Sequence, residues 1–120
     1  TVDLVLGALR AHARDAQVRH LACAALGVLA LDEEHRARIA ALGGLETVHT
    51  MMNRHLTDVE VQRNGCVLLR NLARSSPNRR AIASMGGIRS VISAMMSHQD
   101  DAEVQRWACR ALGNLSLDCD

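Results

Sequence analysis

The fold is predicted most directly by residues 85–116, which read MGGIRSVISAMMSHQDDAEVQRWACRALGNLS. Gly86-Gly87 ends one helix, because glycine readily adopts the left-handed conformation that is common just past helix ends. An apolar segment with helical spacing follows, and a polar turn separates it from a further helix. Asp101 is the expected N-cap of that last helix, which reaches about Leu117. The stretch therefore predicts helices joined by a Gly-Gly junction and an acidic turn.

A short helix precedes this stretch. Ser76-Pro77 predicts an N-cap followed by proline at the first helical position, and the helix then runs to the Gly-Gly pair. A second helix begins at about Ile88. The middle part of the chain repeats this order with Asp58 as the cap of its last helix. Each complete unit is therefore expected to contain a short helix, a second helix and a long third helix.

The same pattern recurs every 43 residues along the chain. Four residue types recur at this interval. The cysteines are Cys23, Cys66 and Cys109, and the aspartates are Asp15, Asp58 and Asp101. The valines are Val18, Val61 and Val104, and the leucines are Leu26, Leu69 and Leu112. A fixed period in the forties is typical of stacked helical repeats, in which each unit is too small to bury its own apolar face.

The period divides the chain into three units. We expect the 120 residues to form one domain with repeats at 1–32, 33–75 and 76–120. The first repeat is expected to lack its short helix, because residue 1 already lies at the start of a second helix. The units should therefore contain two, three and three helices.

The chain resembles the armadillo repeat family over essentially its whole length. The resemblance rests on the Gly-Gly pair, the apolar second helix, the acidic turn, the ending ALGNL of residues 111–115 and the junction NGCVLLRNLARSSPNRRAIASMGGI of residues 64–88. It implies an all-α fold, a right-handed α-solenoid of stacked armadillo repeats, whose third helices line a concave groove. In this family the groove usually binds an extended peptide or a partner domain. A HEAT repeat is the alternative within the same architecture, but the separate short helix and the Gly-Gly junction favour the armadillo pattern.

The third helices have one apolar and one polar side. With Val61 at 0° and about 100° per residue, the core side spans about −20° to 80° and the opposite side about 180° to 300°. The opposite side could be an ordinary solvated face, but stacking places these sides next to one another and favours a binding surface. The candidate partner-binding residues are Arg63, Asn64, Val67, Arg70, Asn71, Arg74, Arg106, Trp107, Arg110 and Asn114. The same side of the first repeat carries mostly apolar residues, namely His20, Leu21, Ala24, Gly27, Val28 and Leu31.

The composition of this side predicts the kind of partner. Arginine binds carboxylate and phosphate groups bidentately, so the arginines favour an extended acidic or phosphorylated segment of a protein or peptide. Trp107 is the only aromatic residue of the chain and is expected on the outward side, where Trp often contributes strongly to binding. The resemblance implies that Asn71 and Asn114 contact the main chain of a bound peptide, and that this series is broken at Val28.

Composition argues against several other functions. The net charge is +1, which disfavours a nucleic-acid-binding α-solenoid, the alternative from another functional class. A structural spacer within a larger protein is a second alternative. No apolar run approaches the ~20 residues of a membrane span. The sequence has no phosphate-binding glycine loop, and its Ser, His and Asp residues are scattered, so we expect no enzyme activity and no cofactor.

The repeated turn histidines, His12, His55 and His98, are not expected to bind a metal. Equivalent residues of stacked units lie ~10 Å apart, whereas zinc ligands lie ~2 Å from the ion. Their expected role is to cap carbonyl groups at the end of the second helix.

The cysteine spacing favours free thiols over disulfides. Because Cys23, Cys66 and Cys109 are equivalent, we expect small core residues at these positions and exposure of Cys119. Reduced cysteines indicate a cytoplasmic protein, with a nuclear location also possible.

Apolar residues near both ends are expected to lack covering partners. They are Leu4, Val5 and Leu9 near one end and Leu112 and Leu115 near the other. Because repeat arrays normally end in units with a polar outer face, the chain is expected to associate end to end.

Overall fold

The computed structural model describes residues 1–117, which form eight α-helices and no β-strand. In chain order the helices are α1 (Val2–Ala11), α2 (Ala16–Leu29), α3 (Glu33–Ala41), α4 (Gly44–Arg54), α5 (Val59–Leu72), α6 (Ser76–Ser84), α7 (Gly87–Ser97) and α8 (Ala102–Leu115). The prediction of an all-α fold is confirmed.

The long helices α2, α5 and α8 form the centre of a stack. Each has 14 residues, and each begins and ends 43 residues after the one before it. The most extensive helix packing in the described chain joins α5 to α8 and α2 to α5. This stacking of equivalent helices is the arrangement of an α-solenoid and is consistent with armadillo architecture.

Aspartate caps determine where the long helices begin. The side chains of Asp15, Asp58 and Asp101 each accept a hydrogen bond from the backbone N–H three residues later, at 3.0, 3.3 and 2.9 Å. These N–H groups belong to the first turn, where no helical acceptor exists. The predicted N-cap roles of Asp58 and Asp101 are confirmed.

The Gly-Gly pairs set the junctions between the short and second helices. Gly43 and Gly86 adopt left-handed φ angles of 77° and 89°, which favour glycine. The second glycine of each pair packs directly against the preceding helix, because a Cβ atom on Gly44 would lie 2.7 Å from the carbonyl oxygen of Ile39. Gly87 has the same constraint. The predicted role of both pairs is confirmed.

The start of α6 differs from the prediction by one residue. Ser75, not Ser76, precedes the helix, and its side chain makes no capping hydrogen bond. Ser76 is the first helical residue and Pro77 the second. Proline still fits there because the N–H that it lacks has no acceptor in the first turn.

Leu9 and Leu115 are better covered than the sequence predicts. They are only 2% and 1% exposed, so the expectation that they lack partners is wrong. The physical reason is local packing, since α1 lies on α2 and α7 lies on α8. Leu4 is 79% exposed, whereas Val5 and Leu112 are partly buried against the core.

The three equivalent cysteines do not share one environment. Cys23 and Cys66 are buried free thiols, and burial raises the pKa of each to about 12. Cys109 is an exposed free thiol, so its predicted core position is wrong. Among residues 1–117, α5 has a long helix on both sides, whereas α8 has one only on the side of α5. Cys119 lies outside the described residues.

Candidate partner-binding surface

The outward sides of α2, α5 and α8 form one surface, which we call the long-helix face. It comprises Leu21, Ala24, Val28 and Leu31 from α2 and the turn after it, Arg63, Asn64, Val67 and Arg70 from α5, and Arg106, Trp107 and Arg110 from α8. A depression of about 350 Å³ on this face is lined by side chains from all three helices. Five of the ten candidate residues line this depression, namely Asn64, Val67, Arg70, Asn71 and Trp107.

The α2 part of the face is apolar and solvent-exposed. Leu21 is 68% exposed, Val28 is 67% exposed and Leu31 is 53% exposed. Val28 and Leu31 line the depression together with Val67 of α5. Exposed apolar side chains grouped in a concave surface are typical of interaction sites.

Trp107 lies in the middle of the long-helix face. Its ring is partly buried against the core and lines both the depression beside Val28 and a second one bounded by Glu60 and Glu103. The guanidinium carbon of Arg110 lies 4.8 Å from the ring centroid, within the range of a cation–π contact. Trp107 is therefore partly accessible to solvent and holds Arg110 over its ring.

The arginines of the candidate set differ in how they are paired. Arg63 Nη1 donates to Glu103 Oε2 at 2.9 Å, and this hydrogen bond raises the pKa of Arg63. Arg70, Arg106 and Arg110 form no ion pair with any residue of the 1–117 segment. The positive charge available to a ligand is therefore on these three residues.

Arg74 lies apart from the other candidates. It is exposed and lines a separate cavity with Glu33 and Arg36 of α3, next to the start of α6. The structure thus does not place Arg74 in the depression of the long-helix face.

The candidate asparagines are engaged within the chain. Asn71 is only 3% exposed, and its Nδ2 donates to the carbonyl oxygen of Gly27 at 2.9 Å. Asn114 Nδ2 donates to the carbonyl oxygen of Arg70 at 3.0 Å. Asn64 Nδ2 likewise donates to the carbonyl oxygen of His20 at 3.3 Å.

Two of these bonds satisfy carbonyl groups that the helix itself leaves open. In the last turn of α2, the backbone N–H groups of Ala30 and Leu31 bond to Leu26 and Val28, which leaves the carbonyl of Gly27 for Asn71. Such last-turn carbonyls require partners from outside the helix. The amide nitrogen of Asn71 therefore stabilises the stacking of α5 on α2.

A charged group joins α2 to the start of α5. Asp58 accepts hydrogen bonds from Arg19 at 3.0 Å and from His20 Nε2 at 2.8 Å. Burial alone would raise the pKa of Asp58, but the bonds from His20, Arg19 and the Val61 N–H outweigh it and hold the pKa at about 2. The second ring nitrogen of His20 lies 3.3 Å from Glu60. The aspartate therefore acts both as a helix cap and as an ionic link between two long helices.

Gln62 and Gln105 close the turns that precede the long helices, a role that the sequence reading missed. Gln62 Nε2 donates to the carbonyl oxygens of Met52 and His55 at 3.0 and 2.9 Å. Gln105 makes the same two contacts 43 residues later. Their recurrence at the repeat interval was the available signal, and Arg19 stands at the equivalent place in the first unit.

The turn histidines His12, His55 and His98 are the C-cap residues of α1, α4 and α7, and their backbone N–H groups donate to carbonyl oxygens of the last helical turn, so their predicted capping role is confirmed. His98 Nε2 donates to the carbonyl oxygen of Leu56 at 2.7 Å, in the preceding turn of the stack and not at the end of its own second helix. Burial, followed by the charge of Arg19, lowers the pKa of His55. Within residues 1–117, no group of three His, Cys, Asp or Glu side chains is arranged to hold a metal ion.

Ser90, His49 and Asn53 meet between α4 and α7. His49 Nδ1 lies 3.1 Å from Ser90 Oγ, whose hydroxyl donates to Asn53 Oδ1 at 3.0 Å. Asn53 Nδ2 lies 3.2 Å from His49 Nε2. When the hydroxyl proton goes to Asn53, the tautomer of His49 that fits is the one that donates from Nδ1 to Ser90. Ser90 is also only 3% exposed, so the group serves as a structural link.

Comparison with known proteins supports an armadillo repeat at the C-terminal end of the described chain. Residues 75–117 match the family Armadillo/beta-catenin-like repeat, a segment that contains α6, α7 and α8. No curated protein and no solved structure matches the chain significantly. Armadillo repeats generally act as non-enzymatic protein-interaction scaffolds. None of the helices within residues 1–117 has the length and apolar character needed to cross a membrane.

Proposed function

We propose that this chain is a protein-interaction scaffold that binds an extended segment of a partner protein on the long-helix face. The observation that carries the proposal is the depression of about 350 Å³ in which exposed apolar side chains of α2 lie next to Trp107 and Arg70. Trp and Arg are the residue types most often found at binding hot spots. The surface is built from rigid helices, so it needs little ordering on binding.

The partner segment combines apolar and negatively charged groups. An apolar side chain fits between Val28, Leu31 and Val67, where it covers exposed apolar surface. Carboxylate or phosphate groups then pair with Arg70 and Arg110. Salt bridges formed by exposed arginines are screened by salt, so binding weakens as ionic strength rises.

The asparagines support this role from within the stack. Asn71 Oδ1 accepts from Arg70 Nη1 at 3.0 Å, which orients the guanidinium towards the depression. The Oδ1 atoms of Asn64 and Asn114 are the acceptors that we expect to reach main-chain N–H groups of the bound segment. In this proposal the repeats are 1–32, 33–75 and 76–120, with the first repeat lacking its short helix.

The two alternatives predict different behaviour. A nucleic-acid-binding solenoid requires more positive charge and more stacking aromatic residues than a chain with net charge +1 and one aromatic residue provides. A structural spacer would bind nothing on the long-helix face. End-to-end association, supported by the exposure of Leu4, is a property of the chain ends and is measured separately by light scattering.

The test is a selection of random 12-residue peptides against three forms of the chain. They are the wild type, Arg70→Glu/Arg110→Glu, and the matched control Arg14→Glu/Arg89→Glu, in which two exposed arginines outside the long-helix face are changed. We expect peptides rich in acidic and apolar residues that bind the wild type and the control equally. Their affinity for the face variant should fall by about tenfold or more.

Equal binding to all three forms would overturn the proposal. Selection of no common peptide type would favour the spacer. Filter binding of single-stranded RNA to the wild type at physiological salt, abolished in the face variant, would favour the nucleic-acid alternative.

A further inference from the structure

A second cavity lies between α1 and α4 and shares no residue with the long-helix face. It has a volume of about 310 Å³. Its walls come from α1 and the turn after it, from Arg19 of α2, and from α4 and the turn after it. This volume is at the lower end of the range of ligand sites and suits one amino-acid residue or a similar small group.

The floor of the cavity is apolar. It is formed by Leu9 and Met51, which are 2% and 6% exposed, and the exposed residue Ala13 also lines the cavity. A site with such a floor favours an aliphatic side chain of the ligand, because filling it removes apolar surface from water.

Arg10 supplies a fixed positive charge at the rim. Its Nη2 donates to the carbonyl oxygen of Leu42 at 2.7 Å and to Thr47 Oγ1 at 2.9 Å, and its Nε donates to Thr47 Oγ1 at 3.1 Å. All of these acceptors are neutral, and Arg10 forms no ion pair with any residue of the described chain. The guanidinium is thus held in place without a direct ion pair, and Glu46 Oε2, which lies beside Gly43 as Arg10 Nη2 does, offsets part of its charge.

Two further arginines line the same cavity. Arg19 is only 8% exposed, its Nη atoms bond to Ala13 and Asp58, and its Nε has no partner in the described structure. The Nε atoms of Arg36 and Arg63, outside this cavity, lack partners in the described structure in the same way. Arg54 is exposed at the rim and forms no ion pair with residues 1–117.

The polar rim is not purely basic. Glu46 and Thr50 also line the cavity, and their oxygens can accept hydrogen bonds from a ligand N–H. A simple aliphatic anion would gain nothing from Glu46, whereas an amino-acid residue at the end of a peptide offers a carboxylate, an N–H and a side chain together. We propose that this cavity binds the C-terminal residue of a partner polypeptide, with its aliphatic side chain on the floor and its carboxylate on Arg10 and Arg54.

The experiment is a titration of the ¹⁵N-labelled chain with N-acetyl-leucine. Binding is monitored in NMR spectra through the backbone amide signals of Thr50 and Met51. Three analogues each lack one recognised group: N-acetyl-leucinamide lacks the carboxylate, N-acetylglycine lacks the side chain and 4-methylpentanoate lacks the amide. We expect saturable chemical-shift changes with N-acetyl-leucine. We expect the affinity of each analogue to be lower by about tenfold or more. Equal affinity for 4-methylpentanoate would show that the site takes any aliphatic carboxylate, and would overturn the peptide assignment.

Arg54→Gln is the test variant, because Arg54 is exposed and forms no ion pair with residues 1–117, so we expect its replacement to leave the fold intact. We expect its affinity for N-acetyl-leucine to fall about tenfold, and that of the control Arg14→Gln to stay unchanged. The variant Arg70→Glu/Arg110→Glu should bind N-acetyl-leucine as the wild type does, which separates this site from the long-helix face. Absence of saturable shifts, or an unchanged affinity in Arg54→Gln, would contradict the proposal.

Discussion

Helices α5 and α8 carry equivalent sequence patterns 43 residues apart, yet they are held to their neighbours by different contacts. The start of α5 is tied to α2 by the partly buried group of Arg19, His20 and Asp58. The start of α8 is tied to α5 by the pair Arg63–Glu103, of which the glutamate is 53% exposed. Equal spacing therefore produces equal helices, but the contacts between them depend on single residues.

Two substitutions between the units explain the difference. Where α2 has Arg19 and His20, α5 has Gln62 and Arg63. Arg19 reaches forward to the next aspartate, whereas Gln62 bonds to two carbonyl groups of its own turn. As a result, within residues 1–117 the side chain of Asp101 makes only its capping bond, to the N–H of Val104.

The largest expected difference concerns thiol reactivity at equivalent cysteines. Burial raises the pKa of Cys66 to about 12, and its labelling requires opening of the structure, whereas Cys109 is exposed. We expect native labelling of Cys109 by a maleimide to be faster than that of Cys66 by about 1,000-fold or more, since opening of a core site is rare. Mass spectrometry of digested samples measures both rates. Similar rates at both residues would mean that α5 is not covered as described.

The next comparison is between the two capping aspartates. Asp58→Asn should lower the free energy of unfolding by about 3 kcal/mol, because it leaves Arg19 with a partly buried charge and no carboxylate. Asp101→Asn should change it by less than about 0.5 kcal/mol, since asparagine caps helices as well as aspartate does. Urea denaturation measures both. Equal effects would show that the ionic link to α2 adds nothing to the cap.

Low pH should remove the contribution of Asp58 to the free energy of unfolding. Its pKa of about 2 lies below the ordinary value of 3.8, so the folded state favours the charged form and the stabilisation is present above the ordinary value. It is lost as the pH falls from about 4 towards about 2. The difference in stability between the wild type and Asp58→Asn, measured by denaturation at several pH values, should therefore shrink over this range. A difference that stays constant would exclude the charge as its cause.

A much smaller effect than that of Asp58→Asn is expected at the exposed pair Arg63–Glu103. Glu103→Gln should lower the free energy of unfolding by about 0.5 kcal/mol at low salt and by less at high salt, because exposed ion pairs are weak and screened. A decrease in the free energy of unfolding as large as that of Asp58→Asn would contradict the expected difference between the α2–α5 and α5–α8 contacts.

The helical architecture was accessible from the sequence because its signals are local. The caps at Asp58 and Asp101 and the left-handed glycines at Gly43 and Gly86 depend on neighbouring residues alone. The period of 43 residues then placed equivalent helices next to one another without any knowledge of tertiary contacts.

The candidate surface could be predicted only in part from the sequence, because its contacts join residues that are far apart in the chain. Helical periodicity correctly placed Val28, Arg70 and Trp107 on the outward side, but it contains no information about which polar groups find partners across the stack. Asn71 is buried because an open carbonyl of α2 lies within its reach. Likewise, the exposure of Cys109 depends on whether a helix covers α8, and a repeat period cannot reveal this for the last unit.

The central claim is that a partner segment binds on the long-helix face, and the fluorescence of Trp107 tests it most directly because no other aromatic residue is present. The measurement is a titration of the wild type and of Arg70→Glu/Arg110→Glu with an acidic, apolar peptide obtained from the selection. The account predicts a saturable change in Trp107 emission, with an affinity about tenfold lower in the variant and a weaker dependence of that affinity on salt. A peptide that binds both forms equally and leaves the Trp107 emission unchanged would contradict it.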